Sequence, residues 1–245
     1  MSFLKSKYVI SLGNFLSKQI SQDEQDIMLD FLEEDSNAKL LDLGCLNGKR
    51  TSEFMGKVKP ERTYGIDIVD KFLRQARKNY GIIGKRSDLN KKFPIPTKSM
   101  DAVVTAHVIE HLTNTDNFLH EIYRVLKPGG YVVISTDNLS GWFDILSLIL
   151  GYQPTAGPTV STQHLITLSP LWWETGPGGV KNVDYPMHHN VMTMKALKTL
   201  LTRYKFEIEE IAGSGYPPIP YPFAKLFCQL DLYHSMFTVI KARKK

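Results

Sequence analysis

The stretch Leu40-Leu-Asp-Leu-Gly-Cys-Leu-Asn-Gly-Lys-Arg50 decides the fold of this chain. An apolar run that is too short for a helix and is closed by glycines is typical of a buried strand ending in a tight turn, and a helix is predicted to follow over residues 51–57. Gly44 and Gly48 carry no side chain and reach positive φ easily, so backbone N–H groups and the positive end of a helix can approach a ligand closely. The stretch therefore predicts a strand, a glycine turn and a helix arranged around a ligand.

A second predicted strand, Thr63–Asp67, ends in a carboxylate about one strand–helix–strand unit after the glycine turn. A carboxylate in that place can accept hydrogen bonds from both ribose hydroxyls of a nucleoside whose other parts lie against the turn. The glycine turn alone is a weak signal. Together with Asp67 it predicts a site for a nucleoside cofactor.

The motifs that follow give the chain a resemblance to the class I S-adenosylmethionine-dependent methyltransferases. Asp42–Gly48 resembles their Asp-x-Gly-x-Gly-x-Gly motif, with Leu46 standing where the family usually has its middle glycine. Glu110–Leu112 and Leu126–Gly130 resemble two later signatures, Glu-His-Leu and Leu-Lys-Pro-Gly-Gly. The resemblance extends over about residues 38–137 and implies S-adenosyl-L-methionine as cofactor, with S-adenosyl-L-homocysteine as its product.

The resemblance also implies the architecture. We expect an α/β fold with a Rossmann-like, seven-stranded mixed sheet, helices on both faces, and a lid insertion after the fifth strand. A chain of 245 residues is long enough for one such domain. We divide it into four parts: an N-terminal helical segment (residues 1–37), a cofactor-binding core (38–137), a lid or substrate insertion (138–190) and a C-terminal part of the sheet (191–245).

Charge and cysteine content narrow the range of partners and compartments. The formal net charge is +5, which slightly favours an anionic partner or surface. The basic residues are scattered along the chain except at Lys241–Lys245, so specific binding to nucleic acid is not expected. Cys45 and Cys228 are the two cysteines, so a zinc site or disulfide framework is not expected and a reducing, cytoplasmic location is. Apolar runs are too short for a membrane span.

The family resemblance assigns a set of cofactor contacts. An acid after the third strand accepts a hydrogen bond from the adenine amino group in the family, which implies that role for Asp88; a solvated loop aspartate is the alternative. The implied cofactor contacts are Asp42, Gly44, Cys45, Gly48, Asp67, Ile68, Asp88, Leu89 and Ala106.

Two further patterns predict local structure. The capping-box pattern Ser21–Glu24 predicts the start of a helix. Asp101 is expected to accept a hydrogen bond from the backbone at the start of the fourth strand.

Histidines follow the fourth predicted strand and precede a later helix. A helical turn would place His107 and His111 on one face, where their spacing could bind a metal ion. Only two nitrogen ligands are available locally, however, and methyl transfer from a sulfonium needs no metal, so no metal is expected. His111 is expected to be a packed, hydrogen-bonded structural residue. His107 and His188 are the candidate catalytic residues, as general bases, because imidazole titrates near neutrality.

The segment 139–190 is long, aromatic and irregular, and in the resembling family this region often selects the methyl acceptor. Trp142–Leu150, Trp172-Trp173, Phe223–Phe227 and the basic end Arg243–Lys245 lead to a hypothesis: a lipophilic face that meets an amphiphilic acceptor or a membrane surface. The alternatives are an insertion that packs only for stability and apolar residues that bury one another in an ordinary core.

The resulting prediction is an enzyme that transfers a methyl group from S-adenosylmethionine to a small-molecule or lipid-type acceptor, with the acceptor atom (oxygen, carbon or nitrogen) and the oligomeric state open. One alternative is a protein that binds the nucleoside cofactor without catalysis. Another is an NAD-dependent oxidoreductase, but that class expects Gly-x-Gly-x-x-Gly, which Gly44–Gly48 does not provide.

Overall fold

Seven strands and seven α-helices are found in the ranges described by the computed structural model, which are residues 7–158, 188–221 and 223–245, with side chains from Phe15 onward. Trp172 and Trp173 lie outside the described residues. The helices are α1 (Lys7–Asp30), α2 (Lys49–Val58), α3 (Asp70–Tyr80), α4 (Thr115–Val125), α5 (Trp142–Ile149), α6 (Met194–Arg203) and α7 (Phe223–Leu230). The strands are β1 (Lys39–Leu43), β2 (Arg62–Asp67), β3 (Ile83–Arg86), β4 (Met100–Ala106), β5 (Leu126–Asp137), β6 (Phe206–Ser214) and β7 (Phe237–Lys244).

The strands form one mixed sheet in the order β3-β2-β1-β4-β5-β7-β6. Five strands are parallel, and β7 runs antiparallel to both β5 and β6. The predicted seven-stranded Rossmann-like sheet is therefore confirmed. The strand order reverses direction at β1, whose neighbours are β2 and β4, and ligands of open α/β sheets bind outside the carboxyl ends of the strands at such a point.

Two apolar layers cover the sheet, because side chains alternate between its faces along each strand. Leu41 and Leu43 of β1 point to a layer shared with α4 and α6, whereas Leu40 points to a layer shared with α1 and α2. Val132 and Val133 of β5 divide in the same way. Helices therefore lie on both faces, as predicted, and the sheet is held rigid below the site at its carboxyl edge.

The first helix is longer than the capping-box pattern indicated. The helix α1 begins at Lys7, so Ser21 lies in its interior and the predicted start at Ser21 is wrong. Leu16 and Ile20 are buried ahead of that point, because they continue the apolar stripe that packs on the fold. Glu24 does not cap the helix; its side chain forms an ion pair with Arg50 of α2 at 3.2 Å.

The opposite, amino-terminal edge of the sheet is held by Asp101. Its Oδ2 accepts a hydrogen bond from the backbone N–H of Lys39 at 2.9 Å, and its Oδ1 pairs with Lys127 Nζ at 2.7 Å. The predicted structural bond from Asp101 to backbone is thus confirmed. None of the described helices combines the length and the apolarity needed to cross a membrane.

Candidate functional site

The glycine turn joins β1 to α2 at the switch point of the sheet. Gly44 and Gly48 have φ of 81° and 80°, and the Gly44 N–H donates to the Ile66 carbonyl of β2 at 2.8 Å. A Cβ added at Gly44 would lie 2.4 Å from Cγ2 of Val108. The turn therefore needs glycine for both its conformation and its close packing, and it places the amino end of α2 at the carboxyl end of β1.

Leu46 adopts the conformation that a glycine would adopt there. Its φ is 45°, and 56% of the side chain is exposed, so burial does not compensate for the strained backbone. The left-handed region costs an ordinary residue roughly 1–2 kcal/mol. The loop therefore keeps the backbone path of the glycine motif although the glycine itself has been replaced.

This strain gives a stability prediction. Leu46→Gly is expected to raise the free energy of unfolding by about 0.5–1 kcal/mol, a few degrees in Tm, because glycine adopts φ of 45° without a Cβ clash. Differential scanning calorimetry measures the shift, with Ile68→Gly as control, since Ile68 is exposed and is not among the residues with positive φ. A lower Tm for Leu46→Gly than for the wild type would contradict the assignment of strain.

Asp67 lies at the carboxyl end of β2 beside the turn, as predicted. Its Oδ2 accepts from the Leu46 N–H at 2.9 Å and its Oδ1 from the Val69 N–H at 2.8 Å, and the residue is buried. Burial raises the pKa of Asp67, against the lowering effect of these backbone donors. A carboxylate has about four lone-pair positions, so acceptor capacity remains for a ribose hydroxyl.

Asp42 and Cys45 face the interior of the fold. Oδ2 of Asp42 accepts from Thr51 Oγ1 at 2.5 Å, and burial raises the pKa of Asp42 to about 6. The Cys45 side chain is buried against Gly65, where an added Cβ would lie 2.5 Å from Cys45 Sγ. Both side chains therefore pack against the interior side of the turn, and a ligand at the turn would contact the backbone atoms of these residues.

The remaining predicted cofactor residues surround the same edge. Asp88 Oδ1 accepts from the Asn90 backbone N–H at 2.9 Å, which closes a turn after β3 and leaves the carboxylate partly exposed. The Leu89 side chain is packed in the core, whereas Ile68 is exposed beside Asp67. Ala106 ends β4 next to β1. These positions remain proposals for cofactor contact.

His107 is held between two buried carboxylates. Its Nε2 lies 3.0 Å from Glu24 Oε1 and its Nδ1 lies 3.1 Å from Glu110 Oε1. Burial alone would lower the pKa of His107, but the two carboxylates outweigh it and raise the pKa well above its usual value. The resulting imidazolium has no lone pair with which to take a proton, which argues against the predicted role of His107 as a general base.

The backbone around His107 also differs from the predicted helical turn. His107 has φ of 52°, and the chain then forms a short 3₁₀ helix at Ile109–His111. His107 and His111 therefore do not share a helical face, and that prediction is wrong. The positive φ turns the His107 ring back toward α1, where Glu24 holds it.

His188 lies against the other side of the same cluster. Its Nε2 is 3.6 Å from Asp137 Oδ2 at the end of β5, and its ring centroid is 4.8 Å from that of His111. The chain next to it is held because the backbone N–H of His189 donates to the Glu110 carbonyl at 2.7 Å. The structure thus brings together His188 and Asp137, which are far apart in sequence.

The surroundings of His188 and Asp137 shift their pKa values in opposite directions. Burial lowers the pKa of His188, and the neighbouring His111 adds to this effect. Burial raises the pKa of Asp137 to about 7, against the opposing field of His107. At neutral pH His188 is therefore in its neutral form, next to a carboxyl group that can stabilise the imidazolium once a proton arrives.

Two groups of side chains here have the donor types of a metal centre. They are Glu110, His111 and His188, and His107, Glu110 and Asp137; within each group the ligand atoms lie within 4.8 Å of one another. No metal was expected partly because His107 and His111 offer only two nitrogen ligands locally. The structure adds a third nitrogen donor, His188, which comes from a distant segment and could not be inferred from sequence spacing. Both Glu110 oxygens already accept protein hydrogen bonds, from His107 and, at 2.9 Å, from Thr136.

Sequence reasoning did not single out Glu24 or Asp137. A usable signal exists for Glu24, which lies between Ile20 and Met28 in the buried stripe of α1, where an acidic residue needs a partner. Asp137 likewise ends the apolar run of β5 and is buried. Acidic residues at apolar positions thus mark the site, although their partners come from distant segments.

Residues 41–134 match the family described as "Methyltransferase domain". Rat mitochondrial ubiquinone biosynthesis O-methyltransferase is 31% identical over 195 residues, which are 75% of this chain and 48% of the relative. A ubiquinone/menaquinone biosynthesis C-methyltransferase of Pasteurella multocida is 31% identical over 103 residues, covering 39% of this chain and 38% of the relative. The chain spans less than half the length of these curated relatives.

Solved structures share the fold at low sequence identity. An S-adenosylmethionine-dependent methyltransferase from Mesorhizobium loti superposes with a TM-score of 0.60 at 20% identity, covering 89% of this chain and 96% of that one. The cyclase SpnF superposes with a TM-score of 0.57 at 18% identity, covering 91% and 80%. Residues 41–134 therefore belong to the methyltransferase domain family, and the solved structures show that the chain shares the fold of S-adenosylmethionine-dependent methyltransferases.

Proposed function

We propose that this protein transfers the methyl group of S-adenosylmethionine to a hydroxyl of a small, lipophilic acceptor. The observation that carries the proposal is the placement of two sites at one edge of the sheet. The glycine turn and Asp67 lie at the ends of β1 and β2, and the His188–Asp137 pair lies at the end of β5. The proposed nucleoside site and a neutral imidazole would therefore lie at the same edge of the sheet.

The residues present fit the cofactor. The turn allows a ligand close to its backbone at Gly44 and Gly48, where a side chain would clash, and Asp67 retains acceptor capacity for ribose hydroxyls. When bound, S-adenosylmethionine supplies an electrophilic methyl group, so the chain has to align the acceptor and exclude water. His188 takes the hydroxyl proton and Asp137 stabilises the charged ring.

The relatives support the acceptor class. One is named for O-methylation and another for C-methylation in ubiquinone or menaquinone biosynthesis. A hydroxyl on an apolar ring agrees with a neutral imidazole base and with the exposed apolar helices α5 and α7 near the carboxyl end of β5. Mass spectrometry of products formed from a labelled methyl donor and a panel of phenols tests the proposal, and base-stable methyl ethers are the expected product. Methylation on carbon only would contradict it.

Asp67→Ala is expected to weaken binding of both S-adenosylmethionine and S-adenosylhomocysteine roughly ten- to a hundredfold, because hydrogen bonds to a charged group contribute about 1.5–3 kcal/mol. Isothermal titration calorimetry measures this, with NAD as a comparison ligand that should not bind. Asp70→Ala is the matched control, since Asp70 is exposed at the start of the next helix and pairs with Arg74. Unchanged affinity in a folded Asp67→Ala protein would remove the ribose assignment.

A further inference from the structure

The helices α5 and α7 expose an unusual amount of apolar surface. The exposed residues repeat at helical spacing, so each helix has a stripe on its outer side. Ile149 is 74% exposed and Leu230 is 75% exposed, so about three quarters of each residue is in contact with solvent. We call this surface the apolar face; it consists of Trp142, Leu146 and Ile149 of α5 and Phe223, Leu226 and Leu230 of α7.

The two stripes meet where α7 ends. Trp142 Nε1 donates to Asp231 Oδ2 at 2.7 Å, and the Trp142 ring stacks on His234 with centroids 4.5 Å apart. These contacts fix the start of α5 next to the end of α7. The apolar face is therefore a single outward surface, and Trp142 has its polar atom bound at the edge, as tryptophans at membrane interfaces often do.

The helix α1 lies beside α7, because Ile20 and Ala224 line one small cavity, and both helices have an exposed lysine. Lys18 of α1 is exposed, and so is Lys225 in the middle of α7. The acidic groups nearby are engaged in hydrogen bonds: Asp231, which is partly exposed, accepts from Tyr216 Oη at 2.6 Å, and buried Asp144 accepts from the Thr155 N–H at 2.6 Å. Asp23 likewise accepts from Ser214 Oγ at 2.9 Å. Among these residues, anionic headgroups would thus meet two lysines and one partly exposed carboxylate, that of Asp231, which already accepts hydrogen bonds.

The basic C-terminal end is not part of this surface, in contrast to the hypothesis drawn from the sequence. Arg243 pairs with Glu33 and Glu209, and Lys244 Nζ donates to the carbonyl of Leu126 at 2.8 Å. Lys245 pairs with Glu207 at 3.4 Å. These residues end β7 at the amino-terminal edge of the sheet, whereas α5 follows the carboxyl end of β5.

We propose that the apolar face docks on an anionic membrane surface, with α5 and α7 lying in the interface and Lys18 and Lys225 meeting the headgroups. Amphipathic helices with lysines beside an apolar stripe bind in this way. A symmetric contact between two copies would bring lysines of like charge together, whereas an anionic surface compensates them. The inference extends the proposed function, since a lipophilic acceptor concentrates in such an interface.

Flotation with vesicles tests the docking without any turnover. The wild type is expected to bind phosphatidylglycerol vesicles, and binding to phosphatidylcholine vesicles should be weaker. Leu226→Ser/Leu230→Ser should lower binding at least tenfold, because two apolar side chains no longer enter the interface. Ile83→Ser is the control: Ile83 is exposed on β3, at the opposite end of the sheet from β6, and its loss should change nothing.

The charges are tested separately. Lys18→Gln/Lys225→Gln should lower binding to anionic vesicles roughly tenfold and reduce its salt dependence, whereas Lys71→Gln/Lys78→Gln on α3 removes the same charge from another exposed site and should have little effect. Absence of wild-type vesicle binding would overturn the proposal. So would a double serine variant that loses thermal stability and leaves vesicle binding unchanged, or one that only converts a dimer to a monomer in sedimentation. Calorimetric titration of the cofactor reports on the proposed function independently.

Discussion

Gly44→Val is expected to abolish binding of S-adenosylmethionine. The φ of Gly44 is 81°, a region that a β-branched residue avoids, and an added Cβ would lie 2.4 Å from Cγ2 of Val108. The turn would have to move away from β4, which shifts the backbone donors out of reach of a ligand. Calorimetric titration should show at least a hundredfold loss of affinity.

A matched variant separates this effect from the general cost of placing valine in the protein. Gly56 lies on the exposed side of α2, and a Cβ added there meets no atom within 4 Å. Gly56→Val should therefore retain cofactor affinity within a few-fold. Gly44→Ala should give an intermediate loss if the turn adjusts in part. A folded Gly44→Val protein, verified by circular dichroism, that binds the cofactor normally would show that the ligand does not use this turn.

Local sequence patterns predicted the strands at the glycine turn well, whereas the seven-stranded architecture was implied by the family resemblance. The run Leu40–Leu43 alternates between two apolar layers and stops at a glycine, so both its strand and its end could be predicted. The start of α1 could not, because Ser21–Glu24 satisfies a capping rule in the interior of a helix that tertiary packing extends to Lys7.

The parts of the site that are built from one local segment could be predicted from the sequence. The parts in which side chains from distant segments meet could not. Asp67 follows from its position at the end of β2, next to the turn. The role of His107 does not, because its two carboxylate partners come from α1 and from the 3₁₀ helix after β4. Spacing alone predicted a helical turn with an accessible imidazole. Burial and pairing instead give an imidazolium held between two carboxylates, and spacing alone does not identify Glu24 as one of these partners.

His188→Ala is expected to lower kcat by a factor of 10² to 10⁴, the usual contribution of a positioned general base. Its affinity for S-adenosylmethionine should stay within a few-fold, since the glycine turn and Asp67 are on other strands. His120→Ala is the control, because the His120 side chain is 67% exposed on α4. A His188→Ala enzyme with wild-type kcat would remove His188 from the reaction.

The pH profile of the same pair of enzymes distinguishes a base from a residue that only packs. Burial lowers the pKa of His188, and the base must be neutral to act. Wild-type kcat should therefore fall as the pH drops through about 7, where Asp137 takes up a proton, and fall further as the pH drops through the lowered pKa of His188, below 6.5. In His188→Ala the residual rate should instead rise with pH as the acceptor hydroxyl ionises in water. If both enzymes show the same acidic limb, the titrating group is not His188, and Asp137, whose pKa is raised to about 7, becomes the residue to replace next.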